Sequence, residues 1–295
     1  MSTSRSRGQL FRAARPLIAA VLCAPFATPF ADSFTLAVQP VLTPDLTREA
    51  YAPLAEYLSA RTGHDIRIET SRDFYSYWTR INREEFDFVL DAAHFTGYRA
   101  KNMNYQVLAA VPDTVSYSLV SGGDNLIFSP DELVGRPVAT MGPPSLGAIR
   151  LEQLYDNPMR EPLFRTADTA SEAIDMVRDG RAVAAMVPTP MVAQFADLNT
   201  IQVSAATPHI AVSAAPHVPQ EVRVAIQGLL ARMSKDEAGN QVLTTIRLAG
   251  FELASETRYL PYAELIESSR AQLNPTGATA PKRITKHLAL ASPAE

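Results

Sequence analysis

The chain has 295 residues, of which 46% are hydrophobic and 20% charged, with 31 acidic and 27 basic side chains and a net charge of −4. Four of those arginines, Arg5, Arg7, Arg12 and Arg15, lie at the extreme N-terminus; without them 23 basic groups face 31 acidic ones, a balance that favours solubility and argues against nucleic acid as a partner. Cys23 is the only cysteine, so once a leader containing it is removed there can be no disulfide framework, thiolate metal site or cysteine nucleophile.

The four arginines, the short apolar run Leu17 to Ala27 and the small residues Ala24, Ala27 and Ala31 read as a secretory signal peptide over residues 1–31, cut after Ala31. The apolar run is shorter than the ~20 residues a membrane span needs, so stable membrane insertion is not expected. Leu22 is too bulky for the small-residue pattern that precedes a lipidated cysteine, which argues against an anchor on Cys23.

From Ser33 strand and helix alternate. Phe34 to Val38 reads as a strand, and Thr47 as the cap of a helix running to Arg61 and ended by Gly63, with Tyr51, Leu54, Ala55 and Leu58 on one face. Ile66 to Glu69 is a strand, Phe74 to Ile81 an aromatic-rich helix, Phe86 to Leu90 a strand that runs directly into the next helix, and Gln106 to Val111 a strand. Helices of this length between strands imply a parallel sheet with right-handed crossovers. After an extended segment, Val115 to Val120, and the turn Ser121 to Asp124, a second series begins. It comprises a helical turn at Asp131 to Leu133, strand Pro137 to Thr140, helices Ser145 to Leu154 and Thr169 to Asp179, and strand Ala182 to Val187. Ile210 to Ala214 is extended again. Helices near Pro219 to Met233, Lys235 to Ala249 and Tyr259 to Leu273 close the fold, and residues 274–295 read as a flexible tail. The class is therefore α/β with two lobes: residues 32–117 and 212–273 form one, residues 118–211 the other. Crossings near Tyr117 and Val212 leave a ligand cleft between hinged lobes.

Ligands of open α/β sheets sit beyond the carboxyl ends of the strands. In FDFVLDAAHFTGYRAKN that position gathers Asp91, His94, Phe95 and Tyr98, of which Asp91, an efficient N-cap, is also expected to cap the helix. In the second lobe GPPSLGAIRLEQL places Ser145, Leu146 and Gly147 at a helix start, where unpaired amides suit an anion. Tyr75, one of several aromatic residues with Tyr51, Tyr77 and Trp78, Tyr117 on the hinge, and Thr189 between Pro188 and Pro190 complete the candidate ligand-binding set. No GxSxG, Walker loop, GxGxxG after a strand or HExxH is present, which argues against an enzyme, and no cofactor is expected. Asp91, His94, Tyr98 and Tyr75 are residue types that hold ferric ion in some exported proteins. The paired tyrosines of such sites are missing from the second lobe's return strand, so no metal site is expected.

The segments TREAYAPLAEYLSARTG, FDFVLDAAHFTGYRA, DELVGRPVAT and SEAIDMVRDGRAVAAMV resemble the phosphate/phosphite/phosphonate-binding family of ABC-transporter periplasmic proteins, over roughly Phe34 to Leu273. The resemblance implies a type II periplasmic-binding fold, a periplasmic location, a small oxyanionic ligand and an ABC permease as partner. A membrane histidine kinase that docks the closed form is the alternative partner, and the binding protein is expected to be a monomer. The family's Ser-Thr-Ser-Gly anion loop falls here on Ser145, Leu146, Gly147 and Ala148, which keeps one hydroxyl of three. Its histidine falls near Ala170, its first-lobe tyrosine near Phe95 or Thr96, and its amine-binding acids have no equivalent around Thr189.

Overall fold

The computed structural model describes residues 32–269; the leader and the C-terminal tail expected from the sequence lie outside the described residues. The first half builds β1 (Ser33–Val38), α1 (Pro44–Thr62), β2 (Asp65–Glu69), α2 (Phe74–Asn82), β3 (Phe88–Asp91), α3 (Ala93–Asn102) and β4 (Gln106–Ala110). Helix α1 starts three residues before the expected cap. Pro44 occupies its first turn, where a missing N–H is harmless, and Thr47 is buried inside it with its hydroxyl donating to the Thr43 carbonyl at 3.0 Å. Gly63 ends α1 at φ 74°, a conformation costly for any residue with a Cβ.

The chain then passes through β5 (Thr114–Val115) into β6 (Tyr117–Gly122), β7 (Pro137–Thr140), α4 (Leu146–Glu152), β8 (Leu163–Thr166), α5 (Ala170–Arg178), β9 (Ala184–Pro188), α6 (Thr189–Val192) and β10 (Leu198–Val203). It returns through β11 (Thr207–Pro208) to β12 (Ala211–Ala214), α7 (Gln220–Arg232), α8 (Glu237–Thr245), β13 (Glu252–Leu253) and α9 (Ala263–Glu267). Where one helix is expected from Tyr259, two short 3-10 turns at Glu256–Arg258 and Leu260–Tyr262 precede α9, and Pro261 interrupts any longer helix.

Among the described residues the strands form two large sheets and a ribbon. The six-stranded sheet has the order β13-β4-β12-β3-β1-β2 and the five-stranded sheet the order β10-β6-β9-β7-β8. Neither is purely parallel. β1 runs parallel to β2 and β3, but β12 enters antiparallel between β3 and β4. In the second sheet β7 is parallel to β8 and β9, whereas β6 is antiparallel to β9 and β10. The ribbon is the antiparallel pair β5–β11, at the place where the chain leaves the first sheet and comes back. The core under the six-stranded sheet is aromatic: Phe95 lies between Phe74, Tyr77 and Trp78 at centroid separations of 5.5 to 6.2 Å. No helix among the described residues is long and apolar enough to cross a membrane.

Candidate functional site

β3 is buried along its whole length and delivers Asp91 into the protein interior. The carboxylate accepts two hydrogen bonds from the Arg99 guanidinium at 2.6 and 2.7 Å, one from the Tyr77 hydroxyl at 2.8 Å and one from the Thr96 hydroxyl at 3.0 Å. Arg99 also donates to the Ser213 hydroxyl on β12, and both ends of the pair are fully buried. Burial opposes the Arg99 charge, but Asp91 outweighs it and holds the guanidinium above its ordinary pKa. Burial, then the neighbouring carboxylate, push the Tyr77 phenol well above the usual range. Asp91 is thus a core counter-ion rather than a wall of the cleft. It does not cap α3 either: the N-cap is Ala92, without a side-chain bond.

His94 in the first turn of α3 is fully buried, and its Nε2 lies 3.0 Å from the Pro144 carbonyl in the loop between β7 and α4. That contact crosses from one sheet's neighbourhood to the other's. A carbonyl only accepts, so Nε2 carries the hydrogen and Nδ1 is left as a bare acceptor. Burial lowers the imidazole pKa to about 4, against the opposing pull of the carbonyl bond and Asp91, so the ring is neutral at ordinary pH.

Facing it, Ser145 caps α4, its hydroxyl accepting from the Ala148 N–H at 3.2 Å, while its own N–H donates to the Gly142 carbonyl. The Leu146 and Gly147 N–H groups have no acceptor among the described residues. Gly147 lies against Tyr117: a Cβ there would come within 3.2 Å of two ring carbons. Tyr117 is itself buried, and burial raises its phenol to about 12.

The remaining candidates are not gathered at this point. Phe95 is fully buried in the aromatic core, and its ring lies tilted against His94 at a centroid separation of 4.0 Å, so it supports the histidine from behind. The Thr189 hydroxyl is taken by Ser116 and Ser118, each at 2.9 Å, and ties α6 to β6. Tyr75 is 42% exposed on α2, on the outer side of the aromatic helix.

Two residues escape sequence reasoning. Ser71, just beyond β2, and Thr140, the last residue of β7, are buried with hydroxyl oxygens that find no partner among the described residues, as does His94 Nδ1. All three stand at the carboxyl ends of strands, the position where open α/β sheets bind ligands. A hydroxyl following a strand is the available signal, but only burial without a partner separates these from ordinary turn residues. No group of three or more histidine, cysteine or acidic residues able to hold a metal occurs among the described residues. A groove of about 540 Å³ between α1 and β2 lies along the outer edge of the first sheet, away from these groups.

Two sheets, a doubly crossing chain and partnerless polar atoms at the strand ends define a ligand-binding protein of the type II periplasmic class. Residues 36–259 match the family model described as the phosphonate ABC transporter's periplasmic substrate-binding protein, and the chain belongs to that family. The family binds substrate for a permease and is not enzymatic. No curated protein matches the sequence significantly. Similar solved structures include PhnD1 from Prochlorococcus marinus in complex with methylphosphonate, at 12% identity and TM-score 0.69 over 82% of this chain and 98% of that one. The binding protein component of an ABC phosphonate transporter from Pseudomonas aeruginosa matches at 12% identity and TM-score 0.69, over 84% and 91%. XAC2383 from Xanthomonas citri bound to ATP matches at 13% identity and TM-score 0.65, over 80% and 97%. At these identities the likeness is one of fold.

Proposed function

We propose that this protein captures a small tetrahedral oxyanion of the phosphonate, phosphite or phosphate kind between its two lobes and presents it to an ABC permease as an exported, periplasmic monomer. Residues 32–117 and 212–273 form one lobe and residues 118–211 the other, with residues 1–31 removed on export. The carrying observation is a set of buried groups without partners that follow strands of both sheets, Ser71 Oγ and His94 Nδ1 from the first, Thr140 Oγ1 and the Leu146 and Gly147 amides from the second, with His94 in contact with Pro144 of the β7–α4 loop. A buried polar group left unpaired costs about 1–3 kcal/mol, and a ligand held between the two strand-end regions would satisfy these groups. None of them is charged at neutral pH. The anion is therefore held by hydrogen bonds, and the bare His94 acceptor suits a ligand that still carries an O–H. The complex of the similar PhnD1 with methylphosphonate supports this ligand class.

Calorimetric titration of the exported protein with methylphosphonate, phosphite and phosphate tests the reading. At least one should bind, and Thr140→Val and His94→Ala should each weaken that binding about tenfold or more. Failure of all three oxyanions to bind, or wild-type affinity in both folded variants, places the ligand elsewhere.

A further inference from the structure

Three adjacent strands of the first sheet, β3, β1 and β2, end side by side. Their parallel register pairs Ala37 with Glu69 and Val38 with Leu90, so the next residue along β1, Gln39, stands level with Ser71 on one side and Asp91 on the other. Two hydrogen bonds carry the alignment past the last paired residues. Thr70 Oγ1 donates to the Val38 carbonyl at 2.9 Å, and the Gln39 N–H donates to the Leu90 carbonyl at 3.2 Å. Neighbouring strands lie ~4.8 Å apart, so Gln39 has Ser71 and the start of α3 as its immediate neighbours.

Chemistry fixes which way the Gln39 amide points. The Ala92 N–H donates to it at 3.2 Å, and only the amide oxygen can accept that bond. The NH₂ group is therefore turned away from Ala92, and it has no acceptor among the described residues. α3 itself begins without a side-chain cap, and the N–H groups of Ala93, His94 and Phe95, all fully buried residues, have no acceptor among the described residues either. A helix start buried without such partners calls for a group that supplies them. Ser71 Oγ and His94 Nδ1, in the same place, are buried and unpaired, and Ser71 does not take up the Gln39 amide although it stands beside it across the sheet.

From this juxtaposition we infer that Gln39 is a ligand-binding residue of the first lobe, its NH₂ group donating to an oxygen of an oxyanion seated on the N-terminus of α3. The inference rests on the oxyanion reading above and adds to it a residue and a place. Donors dominate here: the Gln39 NH₂ group and the α3 amides stand against the single acceptor His94 Nδ1, and the acid level with Gln39, Asp91, is engaged by Arg99. The partial positive charge of a helix N-terminus favours an anion at the same point. The set suits a ligand with several anionic oxygens, at most one O–H and no ammonium group.

Gln39→Glu separates the two sides of this side chain. Its carboxylate still accepts from the Ala92 N–H and is favourable at a helix start, so the ligand-free variant should melt at or above the wild-type temperature. Toward the ligand it puts a negative charge where a donor stood. Calorimetric titration at pH 7, with whichever of methylphosphonate, phosphite and phosphate binds the wild type, should show affinity lower by about a hundredfold or more. The deficit relative to wild type should shrink as pH falls from 8 to 5, because a carboxyl beside an anion takes up a proton and can then donate. Gln39→Met, which offers neither donor nor acceptor, should weaken binding about tenfold. The inference is overturned if Gln39→Glu or a folded Gln39→Met binds like wild type, or if the Gln39→Glu deficit is the same at pH 5 and pH 8, which would mean that the loss is transmitted through the fold. Binding weakened by Thr140→Val and His94→Ala but not by Gln39→Glu overturns this inference and leaves the oxyanion reading standing, whereas failure of the wild type to bind any of the three oxyanions removes both.

Discussion

Asp91→Asn changes almost nothing in shape and removes one charge from the centre of the first sheet. The carboxylate it replaces accepts four hydrogen bonds, two of them from Arg99 at 2.6 and 2.7 Å, with no exposure on either side. An amide can accept at one atom only, so its NH₂ group is driven against a guanidinium that also donates. Arg99 cannot shed its proton to relieve the conflict, as a guanidinium stays charged in proteins. Removing one member of a buried pair typically costs about 3–5 kcal/mol, a large part of the ~5–15 kcal/mol that holds a domain folded. With a urea m-value of ~3 kcal/mol/M for a chain of this size, the unfolding midpoint should fall by roughly 1.3 M with m unchanged. Adding Arg99→Met to Asp91→Asn should restore much of the loss, since a pair replaced by apolar groups leaves no stranded charge. Urea unfolding followed by Trp78 fluorescence measures both. A midpoint shift below ~0.3 M for Asp91→Asn, or a double variant worse than the single, would refute the reasoning.

Three further outcomes are expected. His94 is neutral in the folded protein because its pKa is lowered to about 4, whereas the unfolded chain titrates near ~6.5; its contribution is therefore complete above pH 6.5 and lost as pH falls towards 4, by about 3 kcal/mol in all. Urea unfolding from pH 7 to 4 should show that slope, and His94→Gln should flatten it. A Cβ on Gly97 would overlap the Tyr259 carbonyl and reach within 2.9 Å of the Ala263 nitrogen, both backbone, whereas one on Gly147 meets the Tyr117 ring at 3.2 Å. Gly97→Ala should thus lower the melting temperature more than Gly147→Ala, which should cost about 1–3 kcal/mol; equal stability would contradict the packing. Thr140→Val removes a buried hydroxyl that has no partner, so the ligand-free protein should be unchanged or more stable by up to ~1–2 kcal/mol while methylphosphonate affinity drops; destabilisation would mean the hydroxyl is structural.

The alternation of strand and helix was legible because local signals coincide with it: Gly63 after an amphipathic run, Asp73 and Thr169 as side-chain caps, and β-rich segments between them. Of the strands that went unread, β8, β10 and β13 lie at the sheet edges, where their mostly exposed residues leave no apolar pattern to see, and β11 is only two residues long. The antiparallel entry of β12 was equally invisible, since a segment's sequence does not state which neighbours it pairs with. The same limit governs the site. Asp91 at a strand end looks like a cap or a ligand group until Arg99, on the following helix, is seen to fold back onto it. Ser71 and Thr140 become notable only through what they lack, a partner, and that is a property of three-dimensional packing.

The position of β12 has a consequence for the order in which the molecule can assemble. β3 and β4 have no contact with each other in the sheet except through β12, whose residues Ala211–Ala214 follow the entire five-stranded unit in the chain. In a chain that folds as it is made, N-terminus first, residues 33–110 can form their helices but must wait with two strand edges open. The segment from Tyr117 to Val203 is contiguous and can complete its own sheet at once. Assembly therefore runs from the middle outward, and a nascent chain halted shortly before residue 211 would leave exposed edges of the kind that invite aggregation or a chaperone.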